Sequence, residues 1–222
     1  MRPHRPPPRD CGPTGRSEVA SRTIRPIYLD IIVEPQTHVP DFYSGRALPS
    51  IGSIVNLTAL LNDGSMVNSE LIYTWRVNDQ VIDAGPVRGR NKVSFTTPQG
   101  SSIILSLQVT RLDGTVLARR SLVIPSVSPE VVFYEMNTLY GLSSQAVRSN
   151  FNMSGNSATL MAEPYYLDSR VYNQPSLAEW KIDNYPAGSS GNNPYAITLE
   201  RTGNPGIADL VFWLRNVPAL LQ

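Results

Sequence analysis

The chain is poor in cysteine, histidine and charge. Its single cysteine, Cys11, excludes an intramolecular disulfide. The two histidines, His4 and His38, form no His-x-x-x-His pair for zinc, and no Gly-x-Ser-x-Gly elbow accompanies them. Charged residues make up 17%, below the roughly 25% of ordinary soluble domains. We therefore predict no metal site, no cofactor and no catalytic residue, and expect that the protein is not an enzyme.

Long apolar runs are also missing. The longest strongly apolar run is Leu210–Leu214, far short of the roughly 18 residues of a membrane span. No apolar segment of about 7–15 residues follows Met1, as a secretory signal would require. We expect no transmembrane segment in this chain, and no signal peptide is visible in it.

Positive charge is concentrated at the N-terminus. Residues 1–25 contain six arginines against Asp10 and Glu18, a net +4, which leaves −3 for the rest because the whole chain carries +1. This Arg/Pro-rich segment lacks hydrophobic periodicity and is predicted to be a disordered leader. The mildly acidic remainder makes no case for binding nucleic acid. The basic leader, by contrast, is able to contact an anionic surface.

A repeat of about 105 residues is the strongest pattern in the sequence. Four residue pairs share nearly the same offset: 105 for Trp75 and Trp180, 105 for Leu105 and Leu210, 104 for Val93 and Ile197, and 103 for Gly52 and Gly155. Chance rarely keeps one offset through four separate segments. The repeat indicates two similar domains in tandem, predicted at residues 26–125 and 126–222.

Alternation of apolar and polar residues predicts an all-β fold. Tyr73, Trp75 and Val77 alternate with polar residues, and Trp180 lies at the centre of the corresponding strand of the repeat. Trp75 and Trp180 are predicted to be the buried centres of their domains, because one indole fills the space between two sheets. Residues 125–129 form a short linker bounded by prolines. We expect little shared surface, so that the domains fold separately.

A series of motifs covers residues 51–125: the Tyr73-x-Trp75-x-Val77 strand, the Asp63-Gly64 and Asp113-Gly114 turns, and residues 52–59, 95–100 and 105–110. Through these motifs the first domain resembles the PKD type of immunoglobulin-like β-sandwich. Asn78-Asp79-Gln80 replaces the family's Gly-Asp-Gly. The second domain is similar through Gly155, Leu160, Ala162, Trp180, Ile182, Asp183 and Gly206. The resemblance implies an extracytoplasmic, non-catalytic spacer or adhesion-type binding module at the cell surface or envelope.

The repeat predicts that the second domain lacks most of its last strand. The first domain extends to Pro125, so its counterpart would end near residue 230, about eight residues beyond the last residue. The unpaired edge of Leu210–Leu214 is then expected to favour strand-mediated self-association. Val211 and Trp213 are predicted on the outward face of this strand, where they either form an interface edge or are covered by the linker or the neighbouring domain.

One loop offers possible ligand contacts. Tyr165, Tyr166, Tyr172 and Asn173 precede the second tryptophan strand. Aromatic rings and amides recognise sugars, which makes a carbohydrate-binding module the alternative function. The same rings also suit packing on the edge of the sandwich, which we favour. The predicted partner is a protein or a glycan at the cell surface.

Carboxylates provide two weaker candidates. Glu163, Asp168 and Glu179 are close in sequence and could act as acid and base, but each is interpreted as a solvated strand or loop residue. The segments at residues 62–64 and 78–79 offer oxygens to calcium. They lack the alternating ligand series of a dedicated calcium loop and are interpreted as turns.

Overall fold

The computed structural model describes residues 27–62, 68–82, 85–203 and 206–215. In these residues the regular secondary structure is nearly all β-strand, which confirms the all-β prediction. The predicted leader, the Asp63-Gly64 turn and the chain after Arg215 lie outside the described residues. We call residues 27–125 the first half and residues 130–215 the second half.

The strands of the first half are β1 (Tyr28–Pro35), β2 (Thr37–His38), β3 (Ile54–Asn62), β4 (Leu71–Val77), β5 (Gln80–Val81), β6 (Val87–Arg88), β7 (Lys92–Thr96), β8 (Ser102–Arg111) and β9 (Val116–Pro125). Those of the second half are β10 (Glu130–Asn137), β11 (Gly141–Val147), β12 (Ser157–Tyr165), β13 (Leu167–Asp168), β14 (Ala178–Ile182), β15 (Tyr185–Ala187), β16 (Ala196–Glu200) and β17 (Leu210–Leu214). The helical segments are α1 (Ser169–Tyr172) and single 3-10 turns at Asn68–Glu70 and Pro175–Leu177.

Two antiparallel sheets share one core in the first half. One sheet has the order β1-β3-β7 and the other β5-β4-β8-β9, with β6 also paired to β4. Along β4 and β8 every second side chain is buried, as expected for strands with one face inside. These inward side chains and those of β1, β3 and β7 form a single buried cluster that contains Trp75.

The second half also has two sheets around one cluster. The sheets have the orders β11-β10-β12-β16 and β15-β14-β17. Trp180, Leu160, Ala162 and Ile197 are buried between them. Among the described residues this cluster has four buried members against fifteen in the first half, and half-buried side chains such as Phe212 complete it. The second core is therefore the more open of the two.

The repeat recurs in the pairing of strands. Trp75 lies opposite Leu107 between β4 and β8. Trp180 and Phe212, which follow these two residues by 105 positions, lie opposite each other between β14 and β17. The strand order β1-β3-β7 recurs as β10-β12-β16. The offset found in the sequence thus relates equivalent pairs of hydrogen-bonded strands as well as similar residue types.

Two-residue hairpins follow both tryptophan strands. Asn78 and Asp79 have φ angles of 47° and 64°, and Asp183 and Asn184 have 48° and 67°. Positive φ at both central residues defines a type I′ turn, which Asn and Asp tolerate because their short side chains bond the backbone locally. The segment Asn78-Asp79-Gln80 therefore forms a tight hairpin without the two glycines of Gly-Asp-Gly.

The predicted missing strand falls outside the described residues. Within them β17 pairs only with β14, whereas β8, its counterpart, pairs with β4 and β9. The counterpart of β9 would follow Arg215, beyond the described residues, so the missing strand stays a prediction. None of the helical segments in the described part of the chain is long and apolar enough to cross a membrane.

Candidate functional site

The two halves are joined by a bonded contact that we call the junction. It consists of residues 36–53 of the first half and residues 163–173 of the second. β2 and β13 pair as antiparallel strands across the halves. The N–H of Tyr166 donates to the carbonyl of His38 at 2.7 Å, and the N–H of Ser169 donates to that of Gln36 at 3.0 Å. The structure thus differs from the expectation of little shared surface, because the proline-rich connection folds against the second half.

The linker is also held in place. The N–H of Ser126 donates to the carbonyl of Ser101 at 2.9 Å, and the N–H of Val127 donates to that of Pro49 at 3.0 Å. Val127 forms a parallel bridge with Ser50. These bonds attach the linker to the first half along the same segment that contacts the second half.

An ion pair with a buried carboxylate lies at the centre of the junction. Asp168 is 1% exposed, and Arg170 Nη2 donates to its Oδ2 at 2.6 Å. The same carboxylate caps α1 by accepting the N–H of Arg170 at 2.8 Å. Arg170 Nη2 also donates to the carbonyl of Gly52 in the first half at 2.9 Å. Asp168, interpreted from sequence as solvated, is instead a buried anchor between the halves.

A second pair of titratable residues spans the junction. His38 Nε2 lies 3.9 Å from Glu163 Oε2, and Glu163 is also buried. The imidazole of His38 stacks on Tyr172 with ring centroids 3.5 Å apart. Glu163 was interpreted as solvated as well, but the first-half connection covers it. Glu179 is half-buried and pairs with Arg215.

The structure places most of the predicted ligand-contact residues inside the junction. Tyr165 is 8% exposed, and its hydroxyl bonds that of Tyr134 at 2.8 Å. The hydroxyl of Tyr166 bonds that of Tyr43 in the first half at 2.7 Å. Asn173 is exposed and ends α1, where its N–H donates to the carbonyl of Ser169. Tyr165, Tyr166 and Tyr172, three of the four residues, therefore contact rings of the first half.

A continuous series of rings connects the junction to the second core. Tyr172 packs between His38 and Tyr195, with centroid distances of 3.5 and 4.9 Å. Tyr195 contacts Phe212 at 5.8 Å, and Phe212 contacts Trp180 at 4.7 Å. The rings therefore form an unbroken series of contacts from His38 to Trp180.

The first-half side of this site is missed by the sequence analysis. The sequence does not predict that Phe42, Tyr43 and His38 contact the second half. In the structure Phe42 packs edge-on against Tyr134. The available signal is that both long loops contain adjacent aromatic residues, Phe42-Tyr43 and Tyr165-Tyr166. Two aromatic loops at the facing ends of tandem domains are suited to bury one another.

The tyrosines of the junction, and Tyr195 which packs against Tyr172, have raised pKa values. Burial raises the pKa of Tyr195 to about 12, and the hydrogen bond between Tyr166 and Tyr43, together with burial, raises that of Tyr166 to about 12. Burial also raises the pKa of Tyr172, and burial followed by the bond to Tyr134 raises that of Tyr165. In each case the low-polarity surroundings disfavour the phenolate.

We expect the junction to weaken at alkaline pH. A raised pKa means that the folded protein prefers the neutral phenol, so the stabilisation is fully present below pH 10 and is lost as the pH rises towards about 12. Thermal unfolding followed from pH 9 to pH 12 checks this. Tyr195→Phe, which cannot ionise, should make the loss shallower. An unchanged pH dependence in that variant would contradict the assignment.

The predicted interface edge lies apart from the junction, on the outward face of β17. Val211 is 43% exposed and Trp213 is 47% exposed. The ammonium of Lys181 lies 4.3 Å from the centre of the Trp213 ring. Trp213 is thus partly covered by a cation–π contact but remains open to solvent.

Comparisons with known proteins leave the resemblance untested. No family model matches this chain, and no curated protein matches it. Among the described residues, no group of three or more His, Cys, Asp and Glu side chains is placed to hold a metal ion. The junction combines an ion pair whose carboxylate is buried with several ring contacts, and it is the candidate site of this chain.

Proposed function

We propose that the chain is a tandem immunoglobulin-like module of the PKD type that acts without catalysis as an extracytoplasmic spacer or adhesion-type binding module. The proposed domains are residues 26–125 and 126–222. The recurrence of strand order and register at an offset near 105 supports the tandem arrangement. The resemblance to surface and envelope proteins of this type supports the location.

The junction is the observation that carries the spacer role. A spacer sets the distance between its ends only if its units do not hinge. Here the strand pair β2–β13 and the Asp168–Arg170 contact with Gly52 bond one half to the other. Because the ion pair is sheltered from water on the carboxylate side, it resists screening by salt better than a surface pair.

Surface labelling tests the proposed location. Lys92 is exposed and lies on β7, away from the junction. A membrane-impermeant, amine-reactive biotin reagent applied to intact source cells, and to cells with a permeabilised outer envelope, should label the protein. A cytosolic protein of the same cells is the control. Labelling only after complete lysis would contradict the extracytoplasmic location.

Carbohydrate binding remains the second candidate. The candidate residues Tyr165, Tyr166, Tyr172 and Asn173 lie between the end of β12 and the end of α1, and Asn173 is exposed. Both faces of the Tyr172 ring are occupied by His38 and Tyr195, so a sugar would have to displace one of these rings. A glycan array that detects binding by the wild type and not by Tyr172→Ala would support this function. An array without binding would favour the spacer.

A further inference from the structure

One sheet of the first half contains charged residues of positive sign only. Its strands are β4, β5, β6, β8 and β9, and they contain five arginines, no lysine and no acidic residue. The chain after residue 25 has a net charge of −3, so this sheet differs in sign from the sequence around it. A surface with one sign of charge attracts ligands of the opposite sign. The five arginines are Arg76, Arg88, Arg111, Arg119 and Arg120.

The outward face of this sheet forms a groove in the described structure. Every second side chain of β4 and β8 is buried, so the side chains between them face outward. Two neighbouring rows of residues cross β4, β8 and β9 on this face. One row is Thr74, Gln108 and Arg119, and the next is Arg76, Ser106 and Ser121. With Leu107 and Arg120, these six residues line a groove of about 540 Å³, which we call the arginine groove.

Two arginines of the groove are available to a ligand. Among the described residues, the guanidinium of Arg119 has no hydrogen-bond or ion-pair partner. Arg76 donates to the backbone carbonyl of Asp79 at 3.2 Å, an exposed bond that leaves the other N–H groups of its guanidinium open. Both side chains are exposed. They can therefore turn towards an anion without breaking an ion pair.

The acidic residues of the first half that are nearest to these strands do not line the groove. Asp30 lies on β1 in the other sheet and pairs with Arg120 at 3.8 Å. Asp113 lies in the turn between β8 and β9, where its carboxylate accepts the N–H of Thr115. Asp79 lies in the hairpin after β4, at the opposite end of the sheet. Within the described structure the lining of the groove is therefore positive.

The spacing of the two available arginines suits an elongated ligand. Arg76 and Arg119 lie on either side of β8, two strand spacings apart and offset by two residues, which places their Cα atoms about 12 Å apart. The half-buried side chains of Thr74, Ser106 and Gln108 lie between them. Hydroxyl and amide groups both donate and accept hydrogen bonds. The groove thus offers two cationic ends and a neutral polar centre.

We propose that the arginine groove binds an acidic polysaccharide whose anionic groups are carboxylates, that is, a polyuronate. Each guanidinium holds a carboxylate through two parallel hydrogen bonds, and the polar centre bonds the sugar hydroxyls between two carboxylates. Seven of the eight lining residues are polar, which suits sugar hydroxyls better than the apolar side chains of a peptide. No aromatic ring is among these described lining residues, whereas single-stranded nucleic acid is bound by stacking its bases on such rings. This inference goes beyond the proposed function, because neither the spacer role nor the location depends on the groove.

Isothermal titration of the full chain with polygalacturonate tests the proposal. The wild type should bind, and the double variant Arg76→Gln/Arg119→Gln should bind about tenfold or more weakly, because it loses charge-assisted hydrogen bonds at both ends. Arg148→Gln/Arg201→Gln is the matched control, since it removes the same charge from exposed positions of the second half and should bind like the wild type. Fully methyl-esterified polygalacturonate, which keeps its hydroxyl groups but has no charge, should not bind. Circular dichroism should show the same fold for all variants, because all four arginines are exposed.

Four results would overturn the proposal. The first is a wild type that does not bind polygalacturonate. The second is an equal loss in both double variants, because the effect would then follow net charge. The third is equally tight binding of polyglutamate or of oligothymidylate, because the groove would then recognise charge without selecting a sugar. The fourth is binding that survives Arg76→Gln/Arg119→Gln and is lost in Tyr172→Ala, since this would place the polysaccharide at the junction.

Discussion

Replacing Trp75 with alanine should lower the free energy of unfolding of the first half by about 3–5 kcal/mol. The indole is 2% exposed among the side chains of both sheets, and its Nε1 donates to the carbonyl of Arg90 at 3.1 Å. The substitution removes a large buried surface, leaves a cavity and removes the hydrogen bond to that carbonyl. Because the whole stability of a domain is about 5–15 kcal/mol, much of the first half should be unfolded near physiological temperature.

Trp213→Ala is the matched control. The Trp213 ring is 47% exposed, and its contact with Lys181 contributes only about 0.5–1 kcal/mol. Chemical denaturation monitored by circular dichroism compares the two variants. Equal losses for Trp75→Ala and Trp213→Ala would contradict the placement of Trp75 at the centre of the core. Trp180→Ala, at a residue that is 3% exposed, should resemble Trp75→Ala in the second half.

Replacing Arg170 with methionine should cost about 2–3 kcal/mol at the junction. It leaves the carboxylate of Asp168, which is 1% exposed, without its guanidinium partner, and it removes the bond to the carbonyl of Gly52. Breaking a buried pair on one side costs more than the pair contributes, because a charge is left desolvated. The estimate is below the full range for buried pairs because the Arg170 side chain is 47% exposed.

Arg120→Met is the control for this substitution. Arg120 pairs with Asp30 at 3.8 Å, but both side chains are about half-exposed, so its loss should cost less than about 1 kcal/mol. The double variant Arg170→Met/Asp168→Asn should recover part of the loss, since the isolated charge is gone. Urea unfolding of the four proteins makes the comparison. A cost for Arg170→Met no larger than that for Arg120→Met would show that the ion pair does not support the junction.

The strands and their repeat could be predicted from sequence because they depend on local periodicity. Tyr73, Trp75 and Val77 alternate with polar residues, and the structure buries these three side chains. The hairpin at Asn78-Asp79 could also be predicted, because asparagine and aspartate tolerate positive φ angles. In such segments the residue types and their spacing contain most of the information needed.

The junction could not be predicted in the same way. Residues 36–53 have no periodicity, and their conformation follows from contacts with residues more than 110 positions away, such as the bond from Arg170 to Gly52. Asp168 was interpreted as solvated because a lone aspartate usually is. Its burial depends on the bond with Arg170 and on the pairing of β13 with β2 of the first half. Neither contact can be predicted from local sequence patterns.

The most direct test of the coupling between the halves is the distribution of distances between two spin labels, one in each. In a Cys11→Ser background, labels at Arg119→Cys and Ser144→Cys occupy exposed positions of the first and second half, away from the junction. Double electron–electron resonance should give one narrow distribution for this protein, and Arg170→Met should broaden it. A broad distribution in the presence of an intact junction would show that the halves move independently and would contradict the account.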